Sequence, residues 1–145
     1  MKLEGPSLLI FGSRTLDSYR VDEVIEKFLE GGEYRFIITA LDPAGVCQRV
    51  KHVAKTQKSG LVLIEVGLDE KRAQGMHEAR SIFALKMADH MLAIWDGKSQ
   101  GTLNEINLAE KMGVPTTVVK MKAWTEEDGD LDALIKGLGE AIKPK

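Results

Sequence analysis

The sequence predicts an α/β fold, an open and mostly parallel five-stranded sheet with helices on both faces. Three observations predict it. Short, continuously apolar runs recur along the chain, as in Met91-Leu92-Ala93-Ile94-Trp95, and such runs suit parallel strands covered on both sides. Between them, apolar residues fall at helical spacing, as in Val21, Val24, Ile25, Phe28 and Leu29. The alternation of strand and helix is unbroken over 145 residues, with no internal repeat, low-complexity tract or dividing linker. One domain over residues 1–145 is therefore expected.

Each element has its own reason. Residues 7–11 form the first strand, followed by Gly12-Ser13-Arg14; Asp17 and Ser18 suit the cap of the first helix, and Gly31-Gly32 stops it. The second strand covers 36–39, and the loop 40–45 contains Pro43 and Gly45. Val46, Val50, Val53 and Ala54 stripe a second helix that closes near Ser59-Gly60, before a third strand over 61–66. A polar loop at 67–75 leads to a helix over 76–89. The fourth strand, 91–95, meets the loop 96–101, whose two glycines and serine let the backbone turn sharply and approach a ligand. Thr102 can cap the fourth helix, with Glu105 completing a capping box, and Gly113 ends it. A fifth strand covers 114–120, and Leu131, Leu134, Ile135, Leu138 and Ile142 stripe a last helix.

Composition bounds the class. Apolar residues make up 43% and charged residues 29%, as in a globular protein that buries a real core. A net charge of −2 offers no electrostatic footprint for nucleic acid, so a nucleic-acid partner is not expected. Cys47, the single cysteine, excludes an internal disulfide framework. The run 8–11 is far too short for a signal peptide or a membrane span, so a cytoplasmic protein without a membrane partner is expected.

In an open parallel sheet, ligands bind beyond the carboxyl ends of the strands, at a topological switch point. Gly12-Ser13-Arg14, Gly45, the 67–75 loop and the segment Asp96, Gly97, Ser99, Gly101 and Thr102 would then gather on one rim. The fourth helix opens there with unpaired N–H groups and a partial positive charge, which suit phosphate or carboxylate. Arg14 follows a strand directly, where its guanidinium either grips a phosphate or points into solvent. Arg80, near the start of a helix, either faces the rim or pairs with a surface carboxylate. Glu105 is suited to acid–base chemistry, to ribose hydroxyls, or simply to the helix dipole. Ser13 and Ser99 can donate to phosphate oxygens and are equally ordinary turn residues.

Other chemistries lack their residues. His77-Glu78 begins like a zinc-protease helix, but Ser81 stands where the second histidine belongs. His52, His77 and His90 lie on separate elements, so no metal site is expected. There is no GxSxG elbow and no GxxxxGK[ST] loop, and without GxGxxG after the first strand a dinucleotide site of the usual kind is not expected. No cofactor is expected. Trp95 and Trp124 read as packing residues, and Met76, Met87, Met91 and Met112 as core filler.

Gly12-Ser13-Arg14, Arg80 followed by the Ala88-Asp89 pair, and Trp95-Asp96-Gly97-Lys98-Ser99-Gln100-Gly101-Thr102 together resemble the SLOG superfamily. These Rossmann-like proteins include the LOG-type (lysine-decarboxylase-like) phosphoribohydrolases and the nucleotide-binding domain of DNA-processing protein A. The resemblance runs from the first strand to the fifth and is nearest to the small single-domain branch. LOG-type enzymes carry Met-His-x-Arg and Pro-Gly-Gly-x-Gly-Thr-x-x-Glu motifs, whose arginine and glutamate serve catalysis. Here Met76-His77-Glu78-Ala79-Arg80 has one extra residue, and Gly101-Thr102-Leu103-Asn104-Glu105 keeps the end of the second motif. The Pro-Gly-Gly segment is replaced by residues 95–100. Of the relatives' Gly-Gly-x-x-Gly-x-Asp turn only Gly45 survives, and Cys47 stands where aspartate is expected.

The resemblance implies a nucleotide or nucleotide-derived ligand, held by its phosphate at Thr102 and the loop amides. It also implies a homodimer in which helices such as 76–89 pair. The leading expectation is a binding or sensing module. The alternative is a phosphoribohydrolase that cleaves the N-glycosidic bond of a nucleoside monophosphate, with Arg80 orienting substrate and Glu105 steadying charge on the ribose or placing the water. A third reading is an interaction protein with a vestigial pocket.

Overall fold

The computed structural model describes residues 3–56, 61–67 and 76–122. Its elements are β1 (Ser7–Gly12), α1 (Tyr19–Glu30), β2 (Phe36–Ala40), α2 (Gly45–Thr56), β3 (Val62–Val66), α3 (Met76–Met87), β4 (His90–Trp95), α4 (Gln100–Lys111) and β5 (Thr116–Lys120). The five strands form one parallel sheet in the order β3-β2-β1-β4-β5. β1 and β4 pair in the centre, Leu8 beside His90 through Gly12 beside Ile94. The final helical stripe, Trp124 and most of the 67–75 loop lie outside the described residues.

Alternation along the central strands builds two cores. Leu8 and Ile10 of β1, with Leu92 and Ile94 of β4, pack against Val21, Val24 and Ile25 of α1 and Val46, Val50 and Val53 of α2. Leu9, Phe11, Met91 and Ala93 point the other way, onto Ala84, Leu85 and Met87 of α3 and Ala109 of α4. The continuous apolar runs follow from this, because each central strand must satisfy both layers. Met112 packs at the edge of the second core. Arg49 of α2 donates to both carboxylate oxygens of Asp22 on α1, at 2.6 and 2.5 Å, and pins those helices together. Among the described residues, no helix is long and apolar enough to cross a membrane.

The ends of several elements follow their local chemistry. Ser18 caps α1, its Oγ accepting from Arg20 N at 3.3 Å, and Gly31 closes the helix. Gly113, at φ +72°, follows the end of α4 in the left-handed conformation expected of a stop glycine. The helix expected over 76–89 ends at Met87 instead. Asp89 is drawn away by β1: its N–H donates to Ser7 Oγ at 3.0 Å, and its carboxylate accepts from Ser7 N at 3.0 Å. Ser7 Oγ in turn donates to Met87 O at 2.6 Å, taking one of the helix's last carbonyls. Asp89 therefore ties the amino ends of β1 and β4, the opposite edge of the sheet from the rim.

Candidate functional site

The strand order reverses between β1 and β4, and a cavity of about 500 Å³ opens at the carboxyl ends near this point. Gly12 at the end of β1 and Arg14 and Thr15 of the following turn line it, as do Ala40 at the end of β2 and Leu41, Asp42 and Pro43 beyond it. Cys47 of α2 and Arg80 of α3 add two more walls; Ser99, Gly101, Thr102 and Glu105 form the side toward α4.

The turns reach this geometry through close backbone approaches. A Cβ on Gly12 would run into Ile94 O and the Val46 side chain. Gly45 sits at φ +65°, and a Cβ there would strike the Arg14 backbone. It is glycine because the start of α2 presses on the turn after β1 in a conformation other residues rarely adopt. The contact also places Val46 N within 3.3 Å of Ser13 O, to which it donates.

Ser13 and Asp96 hold the loops rather than line the cavity. Ser13, 1% exposed, accepts from Asp96 N at 3.0 Å and meets Thr102 Oγ1 at 3.3 Å. One oxygen of Asp96 accepts from Lys98 N and Ser99 N at 2.8 and 2.7 Å; the other accepts from Thr15 Oγ1 and Ser99 Oγ, both at 2.7 Å. Burial works against its charge, but the hydroxyls of Ser99 and Thr15 and the two N–H groups outweigh it. They hold the carboxyl well below its ordinary range. Gly97, at φ +82°, turns the loop beside Lys120. Trp95 Nε1 donates to Ser99 O at 3.0 Å, so this ring fastens the loop, consistent with a packing role.

The start of α4 differs from the expected capping box. The helix begins at Gln100, with Ser99 at the cap position and no capping hydrogen bond from its side chain. Thr102 is already inside the first turn, and its hydroxyl serves Ser13 instead. Asp96 competes for the Ser99 hydroxyl and takes it. The amino end of α4, where backbone N–H groups lack helical acceptors, thus borders the cavity without a side-chain cap of its own.

Two ionisable groups face each other through this space. Burial pushes Glu105 up to about 8; the charge of Arg80 opposes the rise and that of Asp42 adds to it. Near neutral pH Glu105 is therefore a protonated carboxylic acid, able to donate a hydrogen bond. Arg80 Nε is buried without a hydrogen-bond partner among the described residues, and its guanidinium lies 5.9 Å from the centre of the Phe11 ring. Arg14 pairs with Asp42 at 3.3 Å, although its side chain is 70% exposed. With Glu105 neutral, the charged groups among the described lining residues are two arginines and one aspartate. The Cys47 thiol is raised by burial, with Glu105 and Asp42 adding to the effect against hydrogen bonds from Thr39 and Ala40. Such a thiol is an inert wall rather than a nucleophile.

Of the residues singled out in the sequence, Gly12, Arg14, Arg80, Ser99, Gly101, Thr102 and Glu105 meet at the cavity. Ser13, Gly45, Asp96 and Gly97 are instead the struts and tight turns behind it. Leu41, Asp42, Pro43 and Thr15 were not singled out as site residues. Asp42-Pro43 in a turn after a parallel strand was the available signal, since every such turn reaches the rim. No protein-family model matches the chain, and neither does any curated protein or solved structure.

Proposed function

We propose that the protein binds a nucleotide or nucleotide-derived ligand in this cavity, as a binding or sensing module of the SLOG type that its motifs resemble. One observation carries the reading: Arg80, whose buried Nε has no hydrogen-bond partner among the described residues, lines a cavity that also meets the uncapped start of α4. An unsatisfied buried donor costs about 1–3 kcal/mol, and a ligand oxygen that accepts from it offsets that cost. The phosphate goes to the amino end of α4 and Arg14; Arg80 and Glu105 take the ribose side. Pairing of two copies through α3 belongs to the same reading, and Phe83 on that helix is 46% exposed.

Hydrolysis of an N-glycosidic bond is the second reading, favoured by the raised Glu105. A carboxylic acid that stays protonated near neutral pH can give its proton to a departing base. The charged form needed to steady a positive ribose appears only as the pH approaches 8.

The test is a panel of nucleoside monophosphates and ribose 5-phosphate, followed by calorimetry, thermal shift and ribose 5-phosphate release, with molar mass measured on the same samples. Ligand at 100 times its dissociation constant stabilises the fold by about 2.7 kcal/mol. Binding weakened tenfold or more in Arg80→Lys, without turnover, is the expected result. Turnover that vanishes in Glu105→Gln while binding persists makes the protein a hydrolase. No binding by any member of the panel rejects both readings.

A further inference from the structure

A second cavity, of about 570 Å³, lies between α3 and α4 and shares Arg80, Gly101 and Glu105 with the first. The two hollows meet over the first turns of α4, and the junction is open: a Cβ on Gly101 would meet nothing within 4 Å. From there the second cavity follows one stripe of the helix, Gly101, Asn104, Asn107 and Lys111, spaced so that they share a face. Glu78 and Ser81 of α3 stand opposite. Asn104 Oδ1 already accepts from Gln100 Nε2 at 2.9 Å, so its own amide N–H groups are what it has to offer. With Asn107 and the Lys111 ammonium, the stripe presents mainly donors, suited to ring nitrogens, carbonyls and phosphate oxygens.

Each cavity alone has the size of a small-molecule site. A mononucleotide would leave the second cavity, and its stripe of donors, unused. We infer that the ligand has two parts, a dinucleotide-type compound in which two nucleotides are joined by a pyrophosphate. One half occupies the cavity at the strand ends. The pyrophosphate crosses at Gly101, beside Arg80 and the amino end of α4, and the second half lies along the α3–α4 groove with its base at Asn104 and Asn107. This rests on the nucleotide reading above and specifies its substrate class.

The test compares, for each common base, the nucleoside monophosphate with the symmetric dinucleoside pyrophosphate by calorimetry. Wild type is run beside Asn107→Leu and Lys111→Glu, exposed positions that line only the second cavity. For at least one base, the dinucleoside pyrophosphate binds tenfold or more tightly than the monophosphate. Both variants remove that gain and leave monophosphate affinity within twofold. Equal affinity for the two forms in wild type, or a gain that survives both variants, overturns the two-part ligand while leaving the nucleotide reading intact. Binding of neither form overturns both.

Discussion

Ser13 and Thr102, separated by 89 positions, share a buried contact between their hydroxyls at 3.3 Å. It joins the turn after β1 to the first turn of α4, the two segments that flank the central pair of strands. Ser13 Oγ also accepts from Asp96 N, so one serine sets the spacing between both loops and the helix that borders the cavity.

Ser13→Ala leaves the Asp96 N–H and the Thr102 hydroxyl without this partner. The expected destabilisation is about 1–3 kcal/mol, read as a lower urea midpoint at unchanged slope. A double-mutant cycle with Thr102→Val should give a coupling energy above about 0.5 kcal/mol. Additive effects would mean that the hydroxyl contact carries no energy.

Glu105 makes stability depend on pH. Its pKa is raised from 4.5 to about 8 on folding, so the folded state holds a proton that the unfolded state releases between those values. The contribution is fully present below about 4.5 and is lost as pH rises to about 8. Glu105→Gln keeps a neutral side chain of similar shape at every pH. At pH 8 the variant should be more stable than wild type by a few kcal/mol, since each pKa unit is worth about 1.4 kcal/mol. Melting temperatures for both proteins across pH 5 to 8 check this; parallel curves would show that Glu105 ionises normally.

Gly45 and Gly101 should respond oppositely to alanine. Gly45→Ala places a methyl group against the Arg14 backbone at φ +65° and should cost more than about 1 kcal/mol. Gly101→Ala meets open space in the first turn of α4 and should be neutral or stabilising by up to about 1 kcal/mol. Chemical denaturation of the two variants measures the contrast. Equal effects would contradict the close approach at Gly45.

Much of the fold was legible because central strands must be apolar on both faces and helices on one. Leu8 to Phe11 and Met91 to Ile94 announce themselves, as do Val21, Val24 and Ile25. Boundaries set by long-range hydrogen bonds were not. Asp89 leaves the helical pattern where Ser7, far away in sequence, offers it a hydroxyl and an N–H. Thr102 looked like a cap for the same reason that it is not one: its hydroxyl seeks a partner, and folding supplies Ser13 before the local amides.

At the site, sequence by itself determined, from strands that run parallel, a rim where Gly12, Arg14, Gly101, Thr102 and Glu105 converge. Periodicity and turn residues are local, and parallel strands put every loop that follows them at one edge. Tertiary structure alone decided that Ser13 and Asp96 are struts, that Asp42 and Cys47 wall the cavity, and that Arg80 Nε is left without a partner among the described residues. It also decided that Glu105 stays protonated near neutral pH. Burial and the fields of distant charges set those properties, and neither is encoded in the spacing of residues along the chain.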